Sequence, residues 1–513
     1  MTDETLDGGL GWTGTPPRTN QATELVHLAD KTFRTVRGTD SKKYAIAKTS
    51  PGIALPLRGD GGMREQLGGE YFRIHDQAVP PAALDAALLT IEANAARAEA
   101  VDVFIRVGAT ASGAVVVDLG TPDGRAVIAD AAGWRVEANS PVLFRRNAAT
   151  LSLPEPLHGG TIDGLGTLLN LEARQFRLVA AWMVGALLVD APQPLLVLTG
   201  QQGTAKSSAA RLILSTFDPS TGSLRALPRT EEDWAVGAHH SYGIGLDNVS
   251  HLVQATSDMI CRAITGEAHV RRARYSDDTI TVLKFRRPIV MTTINPGMLA
   301  GDLADRALLI ELRPISRRNR MTETEIDAAA GDAAPVVLGA LLDLVVGVLR
   351  ELPDVHLDEK PRMADFAQML AALDVATGWQ TLADYDAATV EATQSAVDGD
   401  SFALAILALV SSGRPPWRGT LAELLESLGP APHPPDWPRS PRGAADRLQR
   451  ITPGLAAFGV TIRRGKRANR GREFTIIGLE VGLCEICGQP LAQALIDAGE
   501  HTHPTCDPDD GAR

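Results

Sequence analysis

One segment near the middle of the chain constrains its fold more than any other. The apolar residues Leu195–Leu198 lead into the sequence GQQGTAKS at residues 200–207. This order predicts a strand, a loop and the start of a helix, and it fits the phosphate-loop pattern G-x-x-x-x-G-K-[ST] except that Ala205 replaces the second glycine. A strand-turn-helix with an incidental lysine is the alternative, but the predicted strand and helix around the motif favour a phosphate loop.

The residue types of this loop indicate its ligand and its metal. Backbone N–H groups and a helix N-terminus can cradle a polyphosphate. Lys206 would place a charge on the outer phosphates, and the Ser207 hydroxyl can hold Mg²⁺. The residues predicted to bind the nucleotide are Gly200, Gln201, Gln202, Gly203, Thr204, Ala205, Lys206, Ser207 and Ser208.

The composition is that of a globular protein with several cores. Its 513 residues favour about three domains, and 44% are hydrophobic and 22% charged. The net charge of −12 argues against a uniformly basic nucleic-acid binder but does not exclude local basic faces. The N-terminus has no signal-peptide pattern. The longest apolar stretch, Leu178–Val189, has 12 residues, too few to span a bilayer. We therefore expect a cytoplasmic protein that has no membrane partner.

A second motif, which contains an acidic residue, follows the loop. In YGIGLDNVS an apolar strand would place Asp247 at its C-terminal end, where the carboxylate can hold Mg²⁺ through water, the Walker B role. The next residue is Asn248. Many phosphate-loop ATPases carry a glutamate at this position, which polarises the attacking water. A strand that ends in a plain Asx turn is the alternative. Other acids that could act as the base are Glu231, Glu232, Asp233 and Glu267.

Two further motifs follow in the order that an ATPase of the AAA+ class needs. In RRPIVMTTINPG, a third apolar strand leads to Asn295, whose amide could orient the attacking water; a plain Asn-Pro-Gly turn is the alternative. In GDLADRALLIEL, Arg306 precedes another apolar strand. An arginine there can stabilise charge on a neighbouring subunit's ATP, and a surface turn at Asp305 and Arg306 is the alternative.

This ordered set, which covers residues 165–320, resembles superfamily III helicases. More narrowly, it resembles the poxvirus- and phage-type primase-helicase ATPases that actinobacterial phages and mobile elements carry. The resemblance implies a hexameric ring with ATP between subunits, in which Arg306 acts in trans. It also implies that the ATP of each subunit is bound and hydrolysed with the help of that subunit's own Lys206, Ser207, Asp247 and Asn295. Ala205 and Asn248 depart from the general pattern, and Asn248 bears on the identity of the catalytic base.

Two basic segments are candidates for binding DNA. The first is predicted to be a β-hairpin, and by resemblance its candidate phosphate contacts are His269, Arg271, Arg272 and Arg274. Such contacts are electrostatic and independent of sequence. A solvated hairpin or a subunit interface is the alternative.

The second basic segment lies within residues 415–480. Two predicted helices precede a basic hairpin, which is the sequence form of a winged helix. The hairpin candidates for DNA binding are Arg463, Arg464, Lys466, Arg467 and Arg470, with Arg472 beside them, and Arg442, Arg447 and Arg450 could line a recognition helix. Winged helices also mediate protein contacts, which is the alternative.

Three of the four cysteines crowd the C-terminus. The pattern C-x₂-C followed by H-x₂-C predicts a structural, tetrahedral Zn²⁺ site. Its ligands would be Cys484, Cys487, His503 and Cys506, although His501 could substitute for His503. Three unliganded thiols are the alternative. A small tail with almost no core is expected to fold only with its metal.

These motifs predict an α/β AAA+ P-loop core with an N-terminal α+β domain, a C-terminal winged helix and a zinc-binding tail. The expected segments are a poorly ordered N-terminus (1–30), the α+β accessory domain (31–154), the ATPase (165–320), a helical region (321–400), the winged helix (415–480) and the tail (481–513).

The expected function is that of an ATP-dependent DNA motor, a ring-forming replicative helicase of a phage or mobile element. Its expected cofactors are ATP, Mg²⁺ and Zn²⁺, and its expected partners are DNA, further copies of itself and other replication proteins. An initiator or defence-system ATPase that switches on ATP without unwinding DNA is the alternative, and Asn248 favours it. A repressor-like DNA binder with a vestigial ATPase is a third hypothesis.

Overall fold

The structure is a computed structural model of the chain. It describes residues 20–189, 191–272, 280–294, 299, 301–410, 415–429, 437–468, 471–478, 484, 491, 501 and 502. These residues form two units, and each is treated by itself below. The first comprises residues up to 104 together with 139–146, and the second comprises 105–138 and the chain from 147 onward.

Helices and strands alternate along most of the described chain. The helices are α1 Gln21–Thr32, α2 Met63–His75, α3 Pro81–Ala96, α4 Asp163–Gly166, α5 Ala173–Leu187, α6 Lys206–Phe217, α7 Glu231–His240, α8 Gln254–Thr265, α9 Glu323–Glu351, α10 Ala364–Thr377, α11 Thr381–Asp398, α12 Ser401–Leu409, α13 Leu421–Ser427 and α14 Pro441–Ala457. The strands are β1 Phe33–Gly38, β2 Lys43–Ala47, β3 Ala54–Pro56, β4 Ala100–Val101, β5 Val103–Phe104, β6 Val107–Ala109, β7 Val115–Asp118, β8 Ala126–Asp130, β9 Gly133–Glu137, β10 Leu143–Phe144, β11 Leu195–Thr199, β12 Leu224–Arg225, β13 Ile244–Leu246, β14 Ala268–Arg272, β15 Ile280–Lys284, β16 Ile289–Thr292, β17 Ala307–Glu311, β18 Trp417–Thr420, β19 Thr461–Ala468 and β20 Gly471–Ile477. Short 3₁₀ helices lie at Gly301–Arg306 and Arg317–Asn319.

The first unit is a four-stranded sheet with helices packed against it. The strand order is β3-β2-β1-β4, in which β1 is antiparallel to β2 and parallel to β4. Leu25, Met63, Leu67 and Ile91, from helices α1 to α3, are buried in its core. Amphipathic helices on one face of a small sheet make this unit α+β.

The second unit begins with a meander of four antiparallel strands, β6 to β9. Its apolar side chains belong to the same core as helix α9, and the indole N–H of Trp134 donates to Asp343 Oδ1 at 2.7 Å. The segment 31–154, which the sequence predicts as one α+β domain, is therefore divided between the two units.

A parallel sheet of five strands forms the centre of the second unit. Its order is β12-β13-β16-β11-β17, and each neighbouring pair is parallel. Strand β11 is buried through Leu198, as is expected when helices cover both faces of a parallel sheet. The prediction of an α/β core with a parallel sheet is confirmed.

Two long apolar segments of the sequence form core helices, α5 and α9. Every residue of α5 from Leu178 to Leu187 is buried. Helix α9 is long and apolar enough to cross a membrane by length and composition alone. However, its residues Val337, Leu341 and Val345 pack in the core with the sheet, so the helix belongs to the fold of this unit.

The C-terminal part of the second unit has its own small core. Strand β20 pairs antiparallel with both β18 and β19, and helices α12, α13 and α14 pack with this sheet. Phe402, Phe458 and Ile476 are buried there. The predicted order of two helices and a hairpin is found at α13, α14 and β19–β20.

Candidate functional site

The candidate site lies at the carboxyl edge of the parallel sheet. The strand register places Leu198 beside Thr292 and Leu246 beside Met291. Asp247, which follows β13, therefore reaches the same edge as the loop that follows β11. In parallel α/β sheets, ligands bind in the crevice outside the carboxyl ends of the strands.

The loop between β11 and α6 has three residues in the left-handed region of φ. Gly200 has φ 138° and Gly203 has φ 83°, conformations that glycine adopts at little cost. A Cβ atom at Gly200 would also stand 2.8 Å from the Leu312 carbonyl oxygen. Ala205 has φ 62° and ψ 32° and immediately precedes α6. The alanine therefore adopts the backbone conformation that the missing glycine would favour.

The Lys206 ammonium lies inside this loop. It donates to the carbonyl oxygens of Gly200 and Gln201, each at 2.8 Å. Burial lowers the pKa of Lys206, and the nearby Asp247 carboxylate opposes that shift. The first N–H groups of α6 have no partner within the helix and carry its positive dipole end. A polyphosphate would meet both the ammonium and these N–H groups.

Asp247 organises the polar side chains at the edge of the sheet. Its Oδ1 accepts from the Ser207 hydroxyl at 2.8 Å and from the Thr292 hydroxyl at 2.6 Å. Thr292 in turn accepts from the Asn248 N–H at 2.8 Å. One hydroxyl and one carboxylate side by side are the oxygen ligands that Mg²⁺ takes when phosphates and water complete its shell.

Thr292 is a member of this site that the sequence analysis did not single out. Its position as the last residue of β16, between β11 and β13, gives it contact with both Asp247 and Asn248. The signal in the sequence is the polar pair that ends the apolar run IVMTT. The predicted residue Asn295 lies outside the described residues.

Two of the four alternative bases make contacts with other side chains. Glu231 pairs with Arg262 at 2.8 Å, and the Asp233 carboxylate accepts from the Thr230 hydroxyl at the start of α7. Asn248 is exposed with φ 52°. Among the described residues, the only carboxylate hydrogen-bonded to Ser207 or Thr292 is that of Asp247.

Arg306 lies at the opposite edge of the same sheet. It ends the 3₁₀ helix that precedes β17, and Ala307 is level with Leu195 at the start of β11. Its guanidinium donates to the Asp302 carbonyl oxygen at 3.0 Å and pairs with the Asp302 carboxylate. Arg306 is therefore separated from Lys206 by the length of strand β11.

The predicted basic hairpin is present as strands β14 and β15, with Arg271 level with Thr281. The side chains of His269, Arg271 and Arg272, and the whole of Arg274, lie outside the described residues.

The second basic hairpin is β19–β20, where Arg463 and Arg464 are exposed. A cleft of about 520 Å³ opens beside Arg464, bounded by α14 and β20. On α14, Arg447 pairs with Asp400 at 2.9 Å, while Arg442 is exposed. The side chains of Lys466 and Arg467, and the whole of Arg470, lie outside the described residues.

Most of the predicted zinc site also lies outside the described residues. Cys484 is buried and His501 is exposed, whereas Cys487, His503 and Cys506 are not described. Within the described ranges, no three His, Cys, Asp or Glu side chains gather as a metal site would require.

Comparison with protein families identifies two consecutive segments. Residues 162–394 match the family described as the actinomycete integrative conjugative element replication protein. Residues 402–480 match the C-terminal domain of the same protein, RepA. These two matches show a replication protein of a mobile element. The expectation of a replication protein from an actinobacterial mobile element is thereby confirmed.

The two family matches meet between neighbouring helices. The first match includes the parallel sheet and ends within α11, and the second begins within α12 and ends after β20. The residues of the first unit lie outside both matches. No curated protein matches the chain.

Solved structures offer a weaker likeness. The chain is similar to the A form of the apo NrS-1 C-terminal region, with 11% identity and a TM-score of 0.38 over 89% of this chain and 99% of that one. Another apo structure of the same region gives 12% identity and a TM-score of 0.37 over 90% and 99%. Neither likeness supports an inference about function.

Proposed function

We propose that this replication protein binds and hydrolyses ATP at the carboxyl edge of its parallel sheet and uses the energy to move along DNA as a ring-shaped AAA+ helicase. The observation that carries the proposal is the hydrogen bond between Ser207 and Asp247. It lies beside a phosphate loop that encloses the Lys206 ammonium. Motif spacing alone cannot produce this contact, because the two residues are 40 positions apart in the chain.

The residues at this edge have distinct roles in the proposed reaction. Lys206 exchanges its two carbonyl partners for the outer phosphates of ATP, and the first turn of α6 binds the phosphates through its N–H groups. The Ser207 hydroxyl and the Asp247 carboxylate would hold Mg²⁺, which would neutralise charge on the phosphates. Thr292 holds the carboxylate in place by its hydrogen bond.

The position of Arg306 supports action between subunits. Strand β17 has five residues and runs parallel to β11, so Arg306 lies about 16 Å from the phosphate edge. A side chain cannot cover that distance along its own sheet. Arg306 can reach a phosphate only on a neighbouring copy, which favours an oligomer with ATP at its interfaces.

DNA binding is assigned to the two basic hairpins. We propose that α13, α14 and the β19–β20 hairpin form a winged helix, and Arg463 and Arg464 are exposed on its hairpin. Arginines there can position the domain on phosphates without reading bases. A replication protein of a mobile element has DNA as its natural partner, and we place it in the cytoplasm.

The test is DNA-dependent ATP turnover by the full chain, followed by unwinding of a forked duplex. Lys206→Ala should reduce turnover at least a hundredfold, because the charge opposite the phosphates is lost. Arg262→Ala, which removes a surface pair on α8 and α7, serves as the matched control. Normal DNA-stimulated turnover by the Lys206 variant would contradict the proposed site.

A second candidate function is an initiator that assembles on ATP without unwinding DNA. Asn248 favours it, because an amide stands where a carboxylate base is expected, and Glu231 and Asp233 of α7 contact other side chains. Tight ATP binding and oligomer formation without any strand displacement would support this function over the motor.

We propose a structural Zn²⁺ in the C-terminal tail, held by Cys484, Cys487, His503 and Cys506. The buried position of Cys484 suits a ligand enclosed by its site. Elemental analysis should find one zinc per chain, and Cys484→Ser should remove it. Cys261→Ser, in the core helix α8, should retain the metal. Full zinc content in the Cys484 variant would rule out this ligand set.

A further inference from the structure

We propose that Arg320 is a second cationic ligand of the polyphosphate. It would bind the ATP of its own subunit from beside Gly203 of the phosphate loop. The inference deepens the proposed ATP site and rests on it. No motif marks this arginine, which follows the loop by more than a hundred residues.

The contact between Arg320 and the loop is close. The Nη2 atom lies 3.0 Å from the place where a Cβ atom of residue 203 would stand. A side chain at residue 203 would crowd the guanidinium and move it by a few tenths of an ångström. The φ of 83° at Gly203 separately favours glycine.

The charge of Arg320 is available for a ligand. Its side chain is exposed, and among the described residues it has no hydrogen-bond or ion-pair partner. Two other arginines of this region are paired: Arg313 pairs with Glu172, and Arg211 pairs with Asp327 at 2.8 Å. A guanidinium offers planar, paired N–H donors that match the oxygens of a phosphate.

The segment that carries Arg320 is fixed to the helix that begins in the loop. Arg320 lies two residues before Thr322, which forms the capping box of α9 with Glu325. The first turns of α9 are joined to α6 because Arg211 pairs with Glu323 at 3.3 Å and with Asp327. These contacts place the backbone that carries Arg320 beside the helix that begins in the loop.

An arginine that merely rests on the surface is the alternative, and the chain offers a matched control. Arg317 lies in the same short segment, is exposed, and has no hydrogen-bond or ion-pair partner in the described part of the chain. At Gly203, the arginine that approaches the phosphate loop is Arg320 and not Arg317. A general effect of positive charge would act through Arg317 as well, whereas a direct ligand role belongs to Arg320.

The first experiment measures binding of a fluorescent N-methylanthraniloyl ATP to the full chain. Arg320→Ala should raise the Kd about tenfold, the loss expected for one charge-assisted hydrogen bond, with partial recovery in Arg320→Lys. Arg317→Ala should change it less than twofold. If Lys206→Ala loses binding while Arg320→Ala binds normally, the ligand role is wrong and the ATP site stands. If the wild-type chain binds no ATP, both proposals are wrong.

The second experiment does not depend on how the variants fold. Phenylglyoxal should modify Arg320 in the free protein because the side chain is exposed, and saturating ATP with Mg²⁺ should slow that modification at least fivefold by mass spectrometry. Modification of Arg317 should proceed at the same rate with and without ATP. Equal modification of Arg320 in both states would overturn the inference.

Discussion

At the scale of single residues, the phosphate loop departs from its pattern at one strained position. Ala205 has φ 62°, a conformation that costs an L-residue about 1–2 kcal/mol. Ala205→Gly should remove this strain, which stabilises the folded chain. The greater freedom of glycine in the unfolded chain should cancel about 0.4–1 kcal/mol of that gain. We expect unfolding in urea to show a gain of roughly 0.5–1 kcal/mol.

The matched control for this prediction is an alanine in the same helix. Ala209 is buried and has an ordinary helical position. Ala209→Gly should destabilise the chain by about 1 kcal/mol, the opposite sign. A loss of stability in both variants would mean that the left-handed conformation of Ala205 is not strained.

Motif spacing predicts some of the site residues and misses others for a physical reason. Lys206, Ser207 and Asp247 stand out because a phosphate and Mg²⁺ require those side chains after a strand. Thr292 and Arg320 lie at this edge only because β16 separates β11 from β13 and because the start of α9 lies against α6. Those are tertiary relations, and no local pattern encodes them.

At the scale of elements, a buried ion pair joins the meander to the parallel sheet domain. Arg106, next to β6, is 2% exposed and pairs with Asp218 after α6 at 2.8 Å. It also donates to the carbonyl oxygens of Asp118 and Leu151. Arg106→Met leaves Asp218 without its cation, so we expect a loss of about 3–5 kcal/mol in the free energy of unfolding.

An exposed pair on the same meander provides the comparison. Arg135 and Glu137 pair at 2.8 Å at the surface, and Arg135→Met should cost less than about 1 kcal/mol. Similar losses from the two variants would show that burial does not set the strength of the Arg106 pair.

The same contact explains what the sequence could not predict about the elements. The alternating strands after residue 100 and the helix at α3 are predicted by their apolar patterns. The division of residues 31–154 between two units is not, because it depends on Arg106 meeting Asp218 and on Trp134 meeting Asp343, more than a hundred positions away. The pattern of apolar and polar residues shows which face of a helix or strand is buried. It does not show which distant element packs against that face.

At the scale of the whole molecule, the position of Arg306 predicts that one copy completes the site of the next. Arg306→Ala should bind ATP normally and hydrolyse it at least a hundredfold more slowly, whereas Lys206→Ala should lose binding. Mixing the two inactive variants should restore part of the turnover. In mixed assemblies some intact phosphate loops meet the intact Arg306 of a Lys206 variant, and that pairing forms a complete site.

Restoration on mixing separates action in trans from action in cis. If Arg306 served its own phosphate loop, no mixture of the two variants would contain a complete site, and turnover would stay at the level of the separate proteins. Its contacts with Asp302 would then serve the fold alone. Dilution provides the control, because activity that depends on neighbouring copies must fall as the assemblies dissociate.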